Sequence, residues 1–199
     1  MTNLFPQLHI IGITGKIGSG KSTVARFLEE KGATRIDCDQ LVYDLYEPEG
    51  MGTKKIQTFF GETYLTKEGR VSRKKMLKTL VKSPKKWQIL NRMIHPLVAE
   101  MLQRKLRAVV RGMVALEIQI YDARLFGKFI DELWVIEASE TVRKERVKER
   151  GLSSDELDII SRQQVDPRQD AWVIFPNEGG RAELEQKVLI LVEKNRLKH

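Results

Sequence analysis

Sulfur crosslinking is excluded at once: Cys38 is the only cysteine among 199 residues, so no internal disulfide can form. Long apolar runs are missing as well, and none approaches the roughly 20 residues that a membrane-spanning helix requires. The stretch MTNLFPQLH has neither the basic head nor the apolar core of a signal peptide. These absences predict a cytoplasmic protein. No spacing suits zinc, and neither an aromatic RNA-binding signature nor a basic tail is found. Internal repeats and low-complexity segments are lacking too.

What is there is an ordinary globular mix, 41% apolar and 31% charged, which can build a packed core. One domain with an inserted subdomain is expected at this length. The net charge of +8 fits either a nucleic acid or a small polyphosphate ligand. The basic residues are dispersed, with modest clusters at Arg73–Lys75, Lys82–Lys86 and Arg104–Arg111, so nucleic acid is not expected as the physiological ligand. No membrane partner is expected, and a monomer or weak homo-oligomer is.

Hydrophobic patterning gives the element order. LHIIGIT (Leu8–Thr14) reads as a buried central strand, and SGKSTVARFLEEKG as an amphipathic helix stopped at Gly32. ATRID (Ala33–Asp37) is a second strand, completing a crossover unit that implies a parallel sheet. Residues 41–110 have few strand signals and several lysine-rich amphipathic segments; Ile89, Met93, Leu97, Met101 and Leu102 recur at helical spacing. His95 precedes Pro96, which biases it away from helix. Strands return with MVALEIQI (Met113–Ile120), ELWVIEA (Glu132–Ala138) and AWVIF (Ala171–Phe175). Thr141–Arg150 reads as a charged helix, and a C-terminal helix carries Leu184, Val188 and Leu191 on one stripe. Trp87, Trp134 and Trp172 read as packing residues. The expected fold is α/β: a doubly wound parallel sheet with helices on both faces, made of 1–40 and 111–199, with a helical insertion at 41–110 and a small lid at about 140–165.

The first crossover carries the chemistry. Gly15-Lys16-Ile17-Gly18-Ser19-Gly20-Lys21-Ser22 matches G-x-x-x-x-G-K-[ST] at every fixed position, between a buried strand and a helix. Its glycines let backbone N–H groups approach phosphate oxygens. Lys21 supplies a compact cation for the β- and γ-phosphates, the Ser22 hydroxyl can ligate Mg²⁺, and the helix start adds its positive dipole end. This motif predicts a nucleoside triphosphate site while leaving hydrolase, kinase and mechanical ATPase open. Asp37 and Asp39 flank Cys38 at the carboxyl end of the second strand, where ligands of open parallel sheets gather. They suit a general base for an acceptor hydroxyl and a Mg²⁺ partner through water. Cys38 reads as a small buried filler. Glu117 and Asp122 compete as the strand-end acid that supports Mg²⁺.

IGITGKIGSGKSTVA followed by RIDCDQL resembles dephospho-CoA kinase, and the resemblance runs along nearly the whole chain. FFGETYLTKEGRVSRKKML, LNRMIHPLV, ASETVRKERVKERGLS and AWVIFPNEG are similar to further segments of that family, in the same order. The resemblance implies a P-loop kinase that uses ATP and Mg²⁺ to phosphorylate the ribose 3′-hydroxyl of dephospho-CoA, the last step of CoA synthesis. It implies that Gly15 and Gly18–Thr23 (Gly18, Ser19, Gly20, Lys21, Ser22, Thr23) hold the ATP phosphates. Asp39 would take the hydroxyl proton with Asp37 assisting, and Ser22 would ligate Mg²⁺ with Asp37 or Asp39 acting through water. Arg73, His95 and Glu117 would belong to the acceptor region. Arg146, with a share in catalysis, and Arg150 would close over the phosphates, while Asn177 and Gly179 would border the adenine.

Some positions depart from the family pattern. Lys16 replaces a second glycine, Tyr43 an arginine, Gln119 a proline, Arg143 a glutamine and Trp172 an aspartate. Lys16 reads as a solvated side chain. The departures at Tyr43, Gln119 and Trp172 motivate two rival readings: a P-loop kinase with a different nucleoside or nucleotide acceptor, or a catalytically impaired ATP-binding regulator.

Overall fold

A computed structural model describes residues 4–80, 82–148 and 166–196. The first strand, β1 (Leu8–Thr14), is almost entirely buried and runs parallel to two neighbours. These are β3 (Gly112–Glu117) and β4 (Glu132–Glu137); β2 (Thr34–Asp37) flanks β3 and β5 (Val173–Pro176) flanks β4. The order is β2-β3-β1-β4-β5, all parallel, so every strand delivers its carboxyl end to one edge. Helices cover both sides, as the alternation of strands and amphipathic segments predicts.

Helix α1 (Lys21–Glu30) ends where Gly32 takes a left-handed φ of 95°. Its Val24, Phe27 and Leu28 pack with Ile11, Ile13, Trp134 and Phe175 into the core. The C-terminal helix (Arg181–Arg196) adds Leu184, Val188 and Val192 to the same cluster. Its buried stripe therefore runs through Val192, with Leu191 partly buried beside it.

Contacts divide the chain into two compact units, Met1–Asp37 with Val109–His199, and Cys38–Ala108. The second unit is helical: α2 (Cys38–Leu45), α3 (Met51–Phe60), α4 (Arg73–Leu80) and α5 (Pro84–Ala108). The first three all pack on α5.

Three expectations need correction. His95 lies inside α5, which continues through Pro96 for 25 residues. A proline there removes one backbone donor. Leu90, Ile94, Leu97, Val98, Leu102 and Leu106 nevertheless keep a single buried stripe on both sides of it, and this packing carries the helix across. The third strand stops at Glu117, three residues short of the apolar run's end. Trp134 is fully buried, but Trp172 is 59% exposed. The last strand is an edge with β4 as its neighbour in the sheet order, and alternation turns Phe175 inward and Trp172 and Ile174 outward. Among the described residues no helix is long and apolar enough to cross a membrane.

Candidate active site

The turn from β1 into α1 is shaped by three left-handed glycines, Gly15 (φ 147°), Gly18 (φ 81°) and Gly20 (φ 106°). Packing demands them as much as φ does. A Cβ on Gly15 would sit 2.1 Å from the Ile136 carbonyl oxygen, and one on Gly20 would sit 2.3 Å from Nδ2 of Asn177. The loop is thus pressed against the segments around Ile136 and Asn177, with no room for side chains at those points.

Lys21 opens α1 and is only 5% exposed. Its ammonium donates to the carbonyls of Gly15 (3.0 Å) and Lys16 (3.3 Å), curling the loop around the cation. A buried ammonium lined by dipoles, at the positive end of a helix, makes this turn a receptor for anionic oxygens.

Ser22 follows Lys21 and donates its hydroxyl hydrogen to Oε1 of Glu117, the last residue of β3. The other carboxylate oxygen of Glu117 accepts from Arg35 at 2.8 Å. Parallel register sets Glu117 beside both Ile13 and Asp37, so the ends of three strands converge on one carboxylate, 7% exposed. Arg35 also lies 4.0 Å from Asp37. Asp122 does something else: it caps the short helix α6 (Ala123–Phe126) through the Arg124 N–H and pairs with the Arg124 side chain.

The far wall comes from α7 (Glu140–Lys148). Arg143 is buried and donates to the Ile17 carbonyl at 3.4 Å. Arg146 donates to the carbonyls of Gly18, Asn177 and Gly179, at 3.5, 3.2 and 3.1 Å. Asn177 is buried just after β5, and its amide donates to the Ser19 carbonyl at 2.7 Å. These side chains bolt the loop to two other segments. Beside it opens a cleft of about 650 Å³, lined among others by Gly15, Lys16, Gln119, Tyr121, Glu140 and Arg143. Burial, helped by the charges of Asp170 and Asp122, pushes the Tyr121 hydroxyl up to about 12, so it stays protonated at neutral pH.

The helical unit holds its own group of candidates. Asp39 and Tyr43 lie one turn apart on α2, hence on one face. The Arg73 guanidinium, at the start of α4, lies 4.0 Å from the centre of the Tyr43 ring. Burial lowers the Arg73 pKa, and the Asp39 charge opposes that shift. His95 is half-buried on α5.

A family model described as dephospho-CoA kinase matches residues 9–188. The chain belongs to the dephospho-CoA kinase family. A family member from Coxiella burnetii is 34% identical over 165 residues, 82% of this chain and 83% of its own length. One from Carboxydothermus hydrogenoformans is 30% identical over 194 residues, 94% of each chain. Among solved structures, TT1252 from Thermus thermophilus superposes with a TM-score of 0.77 at 27% identity, covering 94% of this chain and 98% of that one. The dephospho-CoA kinase from Campylobacter jejuni gives 0.60 at 20% identity over 94% and 97%, a likeness of fold.

Within this family member the structure brings Lys21, Ser22, Glu117, Asp37, Arg146, Asn177 and the loop glycines to one edge of the sheet. Asp39, Arg73 and His95 lie in the helical unit, and Arg150 lies outside the described residues. Arg35 and Tyr121 had escaped sequence reasoning. Arg35 left one signal: it shares a strand face with Asp37, two residues on.

Proposed function

We propose that the protein transfers the γ-phosphoryl group of ATP to the ribose 3′-hydroxyl of dephospho-CoA, giving CoA and ADP, the final step of CoA synthesis. Family membership over residues 9–188 carries this reading. In support, the loop around Lys21 offers a cation and backbone donors to a triphosphate. Asp39 accepts the proton of the 3′-hydroxyl as its oxygen bonds to the γ-phosphorus. The bond from that phosphorus to the β–γ bridging oxygen breaks, and ADP leaves. Arg73 and His95 bind the acceptor. Asp37 assists Asp39, and Arg146 and Arg150 close over the phosphates, with Asn177 and Gly179 beside the adenine.

The donor set suits Mg²⁺: a hydroxyl and a carboxylate, all oxygen, already in contact at Ser22 and Glu117. Among the described residues no three acidic, histidine or cysteine side chains form a metal cage, which fits an ion shared with substrate phosphates. Ser22 would ligate it, with Glu117 and Asp37 holding its water shell; once bound it offsets charge on the phosphates. Glu117 is the better-placed acid, because its carboxylate already meets the Ser22 hydroxyl, whereas Asp122 caps α6. A cytoplasmic location, a monomer or weak homo-oligomer, and a core–insertion–lid division are parts of the same proposal.

Coupled ADP release by the purified protein tests it, with dephospho-CoA compared against nucleoside monophosphates. Dephospho-CoA-dependent turnover, abolished in Asp39→Asn, is expected. A preference for a monophosphate would replace the acceptor. ATP binding without turnover on any acceptor would favour the regulator.

A further inference from the structure

Arg73 is oddly placed for its helix. Like Lys74 and Lys75 after it, Arg73 in the first turn of α4 sets a cation against the positive dipole end, which the dipole disfavours. Helix stability therefore does not account for an arginine there. Two groups of the same unit do: the Tyr43 ring, 4.0 Å from the guanidinium, and the Asp39 charge. Both project from one face of α2, a turn apart. A guanidinium held against an aromatic face loses part of its freedom to swing, because leaving that face forfeits the cation–π attraction. Tyr43 is itself 38% exposed, so its ring is not a core residue that Arg73 happens to touch.

We propose that Tyr43 is a positioning residue: its ring holds the Arg73 guanidinium beside Asp39, so that one rigid face presents the cation to an anionic group of the acceptor and the carboxylate to its hydroxyl. The inference rests on the reading above, in which Arg73 binds the acceptor and Asp39 takes its proton. Tyr43 touches neither the acceptor nor the reacting atoms; it acts through Arg73. The ring replaces freedom that a solvated arginine would otherwise lose on binding, so the gain appears in acceptor affinity and not in ATP affinity.

The test is a double-mutant cycle on acceptor KM, run with the full chain and saturating ATP. Tyr43→Leu is expected to raise the dephospho-CoA KM by about two- to fivefold, the worth of an exposed cation–π contact. The ATP KM, measured in the same variant, should stay within about twofold of wild type. Tyr43→Phe, which keeps the ring, should rescue the acceptor KM. In an Arg73→Ala background, itself raised in acceptor KM, Tyr43→Leu should add nothing. Additive effects, no rescue by phenylalanine, or a parallel rise in ATP KM from general loosening would each overturn the proposal. If Arg73→Ala leaves the acceptor KM unchanged, both this inference and the acceptor role of Arg73 fall. If Arg73→Ala raises it while Tyr43→Leu does not, the acceptor role stands and only the inference is lost.

Discussion

Asn177 shows how much one amide can do in this fold. Its side chain reaches the Ser19 carbonyl while its own N–H donates to the Glu137 carbonyl at 2.6 Å, so one residue anchors the phosphate loop to the end of β4. Asn177→Ala would leave a buried carbonyl unpaired, at a cost of about 1–3 kcal/mol. Each kcal/mol is worth about 2–4 °C at this length. Calorimetry should show a loss of at least a few degrees, and initial rates a raised ATP KM with the acceptor KM unaltered. A lower Tm with an unaltered ATP KM would make the brace purely structural. At this scale the sequence was legible where chemistry is local: the glycines, Lys21 and Ser22 sit within eight residues. It was opaque where partners are distant. Arg35 meets Glu117 across 82 positions and Arg143 meets Ile17 across 126, and no local spacing announces either contact before the sheet closes.

Between elements, the seam of β1 and β4 carries a charged cluster away from the phosphate loop. Nε2 of His9 lies 3.2 Å from the buried carboxylate of Glu132, whose other oxygen accepts from the Trp134 indole at 2.8 Å. Asp131 faces the other side of the ring at 4.0 Å and accepts from the Ile10 N–H. The Glu132 carboxylate beside it, opposed by burial and joined by the Asp131 charge, raises the His9 pKa above its ordinary 6.5. Folding thus favours the imidazolium. Its stabilisation is complete below about pH 6.5 and is lost as pH climbs through the raised folded value. His9→Gln should therefore lower the Tm more at about pH 5.5 than at about pH 9. Equal losses at both would show that the imidazole contributes as a neutral group. Strand–helix alternation gave the parallel sheet, because period two and period 3.6 differ plainly. Pro96 misled, because a local backbone preference says nothing of the stripe that overrules it.

Across the whole molecule, charge is partitioned. The helical unit carries 15 Lys and Arg against 7 Asp and Glu, and the rest of the chain has 20 of each, so the entire net charge of +8 belongs to 38–108. A polyanionic acceptor should be steered there at range. Raising ionic strength from about 10 to 150 mM shortens the screening length from about 30 to 8 Å. The dephospho-CoA kcat/KM should fall several-fold over that interval, and the ATP value by less. Equal falls would locate the steering in the phosphate loop itself. The dispersed basic clusters hid this asymmetry, which emerges only once the unit boundary is known. The tryptophans are partitioned too: Trp87 is the only indole in the helical unit, Trp134 is fully buried in the sheet and Trp172 stands in solvent. Their emission should differ in colour and in quenching by added iodide. Replacing Trp134 and Trp172 with phenylalanine would leave Trp87 as a lone optical reporter, able to follow the melting of the helical unit separately from that of the sheet.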